Sequence, residues 1–193
     1  ISDSGTILGN TGIHAASLGA GPQTVQVLVT GGTGITGSAG NGIEASTAGT
    51  GLVTVGVNCT PISSPVSGAT NGIAASGNGA INVFTADNIT GSSGRGISAV
   101  SSGTGGNVAV NVGGTPTTAV SGTTGGILAS TTNANSVNVS VSGINLVTAT
   151  TSGRAIDAES GSGNVTVNSS ATTIHGVSRG IYALTTGAID IGG

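Results

Sequence analysis

Apolar and polar positions alternate along this chain in short bursts, and the bursts recur. The clearest anchor is a Gly-Ile pair followed by x-Ala: Gly12-Ile13-His14-Ala15, Gly42-Ile43-Glu44-Ala45, Gly72-Ile73-Ala74-Ala75, Gly96-Ile97-Ser98-Ala99, Gly126-Ile127-Leu128-Ala129 and Gly180-Ile181-Tyr182-Ala183. Ala155-Ile156-Asp157-Ala158 is a variant of it. The seven isoleucines are spaced by 30, 30, 24, 30, 29 and 25 residues. After each anchor comes a run of period two: Val25/Val27/Val29, Val53/Val55/Val57, Ile81/Val83, Val108/Val110/Val112, Val137/Val139/Val141, Val165/Val167 and Ile189/Ile191. A third, shorter element precedes the next anchor, as in Ile35-Thr36-Gly37, Val66-Ser67-Gly68, Ile89-Thr90-Gly91, Val120-Ser121-Gly122 and Ile174-His175-Gly176. Only between Asn145 and Ser152 is this element blurred.

Period-two alternation is the strand signature, and no segment spaces its apolar residues as a helix does. Each repeat therefore predicts three short strands joined by Gly/Ser/Thr/Asn turns. One such coil cannot bury its own apolar face, whereas stacked coils can. The predicted fold is all-β: a right-handed parallel β-helix, or β-solenoid, of about seven coils of 24–30 residues. With about 4.8 Å between strands, the rod would be about 30 Å long. A β-sandwich would not repeat an anchor at this interval. Calcium-binding β-rolls need an Asp that the repeats lack, and pentapeptide or hexapeptide coils have a far shorter period.

Composition agrees. Gly contributes 38 of 193 residues, aromatics 1% and charged residues 5%. The 36% hydrophobic fraction and low net charge of −3 argue against disorder. Ladders of Val, Ile and Ala fill a thin core without Phe or Trp. Three arginines and no lysine cannot make the basic patch a nucleic acid needs. No apolar run approaches a membrane span, and Cys59 cannot pair within the chain. Residues 1–193 read as one solenoid segment. It opens on Gly5-Thr6-Ile7-Leu8-Gly9, a third element, and closes on Ile189-Asp190-Ile191, a second element. Both ends are thus expected to be mid-coil and uncapped, as in a piece of a longer rod or a unit of a stack.

The pattern Gly-Ile-x-Ala-x-Ser/Thr-x-Gly-x-Gly-x-Val-x-Val, clearest at 42–55 and 180–191, resembles bacterial autotransporter passenger domains and the large haemagglutinin-type β-helical adhesins. The resemblance covers the whole chain and lies in scaffold positions. It implies a secreted β-helix displayed on a Gram-negative surface, and it carries over no catalytic residue.

Candidate chemistry is sparse. Gly32-Thr33-Gly34-Ile35-Thr36-Gly37 matches G-x-G-x-x-G, but no helix or suitably placed acid follows, so it reads as a coil corner. Cys59 continues the parity of Val53, Val55 and Val57 and is expected inside. The residues between Ile and Ala of each anchor (His14, Glu44, Ala74, Ser98, Leu128, Asp157 and Tyr182) are expected outside. Asn41 and Asn71 predict a short Asn ladder on adjacent coils. Five sequons, at Asn58, Asn88, Asn138, Asn164 and Asn168, are what a Ser/Thr/Asn-rich chain produces by chance. Thr54, Thr85 and Thr166 in the second strands are too ragged for an ice-binding face.

One cluster stands out near the C-terminus. Asp157 and Glu159 share one strand face, about 7 Å apart by strand rise. Tyr182 is expected beside Asp157 on the next coil, Arg154 and Arg179 at equivalent positions, and His175 nearby and outward. Paired carboxylates at this separation overlap the spacing that glycosidases use. Arg–carboxylate pairs more commonly satisfy one another, and no Lys base or aromatic platform for a sugar is present. The cluster reads as a weak cation or glycan surface, with no catalytic, cofactor or metal site predicted. Expected partners are other copies or flanking coils through end-to-end strand pairing, and host or matrix glycans or proteins. The expected role is a non-catalytic adhesin stalk outside a bacterial cell. The alternatives are a subunit of a self-assembling extracellular fibre or sheath and, third, a carbohydrate-active enzyme using Asp157 and Glu159.

Overall fold

A computed structural model describes residues 5–57 and 61–193. It is all-β, with three parallel sheets of seven strands each and one strand per coil in each sheet. The anchors form one sheet: Ile13–Ser17, Ile43–Thr47, Ile73–Gly77, Arg95–Ser101, Gly125–Thr131, Arg154–Ser160 and Arg179–Leu184. A valine sheet follows, with Val25–Val27, Val53–Val55, Ile81–Thr85, Val108–Val112, Val137–Val141, Val165–Ser169 and Ile189–Gly192. The short sheet holds Thr6–Gly9, Gly34–Gly37, Val66–Gly68, Ile89–Gly91, Ala119–Gly122, Leu146–Ala149 and Thr173–His175. The G-x-G-x-x-G segment is the corner entering Gly34–Gly37, as its sequence implied.

Register is exact from coil to coil. Ile43, Ile73, Ile97, Ile127 and Ile156 stack directly on one another, each fully buried. The alternating valines and isoleucines of the second runs, from Val25 to Val167, point inward in the same way. Val147 pairs with both Val120 and Ile174, so the blurred third element of that coil is intact. A Cβ on Gly72 would meet Ile89 Cγ2 at 2.5 Å and the Gly96 carbonyl at 2.7 Å. At Gly72 the glycine is therefore a packing requirement, set by the close approach of the next coil.

The valine pattern misleads in one coil. The run Val53, Val55, Val57 is expected to continue inward to Cys59. The inward alternation instead stops at Val55. Gly56 adopts φ 69°, which turns the backbone outward. Ile62 returns to the vacated inner position, bridges to Thr85 and is fully buried. Its N–H donates to the Phe84 carbonyl at 3.0 Å, and its own carbonyl accepts from Ala86 N–H at 2.8 Å. Val57 is only half-buried, and Cys59 lies outside the described residues.

At the end of several anchor strands an inward hydroxyl takes the place of an apolar side chain, although Gly77 stands there in the third coil. Ser101 pairs in register with Thr131, and Thr131 with Ser160. Ser160 Oγ donates to the Asn135 carbonyl at 2.7 Å and accepts from Gly163 N–H at 2.9 Å. Ser101 Oγ donates to the Gly79 carbonyl at 2.9 Å. These hydroxyls satisfy backbone groups of the turn that leads to the valine sheet. Thr131 Oγ1 is buried in the same column without a hydrogen-bond partner among the described residues.

Candidate functional site

The outer faces of the three sheets differ. The valine sheet presents Gln26, Thr54, Asn82, Ala109, Asn138, Thr166 and Asp190 in one column, a mixture with no repeated chemistry. The in-register hydroxyls lie on the short sheet instead: Thr36, Ser67, Thr90, Ser121 and Thr148. Thr36 and Ser67 are hydrogen-bonded at 3.1 Å, and Thr90 and Ser121 at 3.4 Å, so this column is largely a self-satisfied ladder. A shallow groove near Phe84, Asn111 and Ser140 carries no charged side chain.

The pre-anchor column runs Asn41, Asn71, Arg95, Gly125, Arg154, Arg179. Its first half is the expected Asn ladder. Asn41 Oδ1 accepts from Asn71 Nδ2 at 3.0 Å and from Asn71 N–H at 3.1 Å. Asn71 Oδ1 in turn accepts from Arg95 N–H at 2.8 Å. Its second half gathers every arginine of the chain, in register across four coils with Gly125 between the first two.

Asp157 is the centre of this cluster. It faces outward as expected, in the column of Leu128 and Tyr182. Contrary to the expectation of a solvent-facing residue, it is only 5% exposed. Two guanidinium groups cover it. Arg154 Nη1 donates to Asp157 Oδ1 at 2.8 Å and to Glu159 Oε1 at 2.9 Å, drawing both carboxylates onto one nitrogen. Arg95 Nη1 lies 3.5 Å from Asp157 Oδ2. Arg95 reaches it across Gly125. A Cβ there would sit 3.4 Å from Arg95 Cγ and 3.7 Å from Cδ, in ordinary van der Waals contact, so the arginine stem runs directly over the glycine.

Tyr182 pairs with Asp157 in register, as expected. The Arg154 guanidinium carbon stacks 3.4 Å from the ring centroid, and that of Arg179 lies at 4.9 Å. Desolvation opposes the charge of Arg154. Its bonds to Asp157 and Glu159, with the attraction of Asp157 and Tyr182, outweigh that and raise its pKa above the ordinary arginine value. Arg154 is thus a fixed cation, spent within the cluster. Arg179 is not: it is exposed, and among the described residues it has the ring contact and no carboxylate partner.

Of the six expected residues, five come together: Arg154, Asp157, Glu159, Arg179 and Tyr182. His175 faces outward but on the short sheet, beside Thr148, with no side-chain bond to the cluster among the described residues. Its position before a glycine corner puts it round the edge from the anchor sheet. Arg95 is the member that sequence reading missed. The signal lay in its pre-anchor position, shared with Arg154 and Arg179, and in the glycine at that position in the intervening coil.

Chemically, the cluster holds charge in place. Each carboxylate is tied to a guanidinium. No group of three His, Cys, Asp or Glu able to hold a metal occurs among the described residues. The chain matches no family model, no curated protein and no solved structure.

Proposed function

We propose that this chain is a non-catalytic rod segment of an extracellular bacterial surface protein, the stalk or passenger region of an adhesin. The observation that carries the reading is the unbroken stacking of three parallel sheets, seven strands each, in register from coil to coil. Continuous in-register ladders suit a rod that bears load along its axis, because each strand is held by backbone bonds to the coils above and below. The repeat pattern shared with autotransporter passengers supports an extracellular setting.

A subunit that stacks end to end into a fibre or sheath is the second reading. The same open strand edges favour it, since the last coil of one copy offers in-register partners to the first coil of another. The enzymatic reading is less favoured because Arg154 ties up both Asp157 and Glu159.

Intact-mass measurement of the native polypeptide separates the first two. A mass far above 17.8 kDa supports the stalk, and a mass near it supports the stacking subunit. Protease shaving of intact cells tests the shared premise. A chain protected until lysis would overturn both.

A further inference from the structure

We propose that Arg179 and Tyr182 form a binding site for the carboxylate of an acidic polysaccharide, a uronate-containing glycan. This goes beyond the rod reading, since the patch would bind such a ligand whatever the chain is attached to.

The chain is net negative, yet all three of its arginines collect on one column of one sheet. Asp157 and Glu159 offset only two of them, which leaves a local excess of one positive charge on an otherwise negative rod. An anion is repelled elsewhere and attracted here.

Preorganisation comes next. Arg154 and Arg95 are held by the carboxylates, so they are not available to a ligand. Arg154 also fixes Tyr182: its guanidinium carbon lies 3.4 Å from the ring centroid, and the ring sits beside the Arg179 guanidinium. Arg179 therefore presents a planar array of donors that matches a carboxylate, next to a phenol hydroxyl.

The surroundings favour a glycan over an acidic peptide. The patch lies on an open sheet face. Tyr182 supplies a hydroxyl there; the Ser178 and Thr186 hydroxyls donate to the Gly153 and Gly161 carbonyls at 2.8 and 3.2 Å and keep lone pairs for a sugar hydroxyl, and Leu184 offers an exposed apolar surface next to them. Such a face suits an extended chain of hydroxylated rings with a carboxylate at intervals.

The test is calorimetric titration of the chain with oligogalacturonate, its methyl ester and oligoglutamate at low salt. The acid should bind, the ester should not, and added salt should weaken binding. Arg179→Gln should reduce affinity about tenfold or more, as loss of a charge-assisted hydrogen bond does. Arg179→Lys should recover part of it, and Tyr182→Ala should lower it several-fold. Arg179 has no ion pair, so the melting temperature of Arg179→Gln should match that of the parent, which separates lost binding from lost fold. No binding of the acid, equal binding of the ester, or unchanged affinity in Arg179→Gln would each overturn the proposal. Tighter binding of oligoglutamate would overturn the glycan assignment.

Discussion

Asp157 shows how one residue's meaning depends on its neighbours. By parity it is an outer residue, yet Arg154 and Arg95 roof it over. Substituting Arg154→Met should destabilise the fold by about 1–2 kcal/mol, less than a fully buried broken pair costs, because Arg95 remains and the site is partly solvated. The in-register neighbour Leu128 shows that the column accepts an apolar side chain. The double substitution Arg154→Met with Asp157→Leu should therefore recover most of that loss, as replacing a whole ion pair often does. Chemical denaturation of the parent and the two variants decides it. A double variant no more stable than Arg154→Met would mean that Asp157 contributes more than the charge Arg154 neutralises. That Asp157, Glu159, Arg154, Arg179 and Tyr182 would meet was legible in the sequence, because register follows from the repeat. The coverage of Asp157 was not, because it depends on a side chain two coils away reaching across Gly125.

At the scale of the strand and its turn, hydroxyls and glycines carry the specificity. Ser160 satisfies one backbone group of its own turn and one of the preceding coil's turn, so Ser160→Ala should cost about 1–2 kcal/mol. Thr131 occupies the same column with an unpaired buried hydroxyl, so Thr131→Val should stabilise by about 1 kcal/mol. Thermal melts of the pair would show opposite shifts. Two shifts of the same sign would mean that the hydroxyl of Thr131 is satisfied in solution. Gly72→Val should cost about 1–3 kcal/mol through overpacking against Ile89 and the Gly96 carbonyl. Gly72→Ala should cost less, since Ala155 fills the equivalent corner of its own coil and is fully buried there. The strands themselves were readable from period-two runs. The detour between Val55 and Ile62 was not, because Val57 fits the alternation as well as any other valine. Only Gly56 at positive φ, which no pattern of apolar residues records, takes the chain off the strand.

For the molecule as a whole, a linear stack implies a gradient of stability. Central coils are held on both sides and terminal coils on one. Hydrogen exchange should be slowest in the strands Ile81–Thr85, Val108–Val112 and Val137–Val141, and fastest in Thr6–Gly9 and Ile189–Gly192. Uniform protection along the chain would indicate that the ends are covered in solution, as end-to-end stacking would do.

The sequence by itself determined the coil. An anchor repeating every 24–30 residues, with strand-period runs after it, leaves one economical way to bury Val, Ile and Ala, and that fixes the register of every outward residue as well. Only the tertiary structure decided which of those outward residues act together. Side-chain reach and the gaps beside it are properties of neighbouring coils, so the bridge from Arg95 over Gly125, the stacking of Arg154 on Tyr182 and the open guanidinium of Arg179 exist only once the coils are laid on one another.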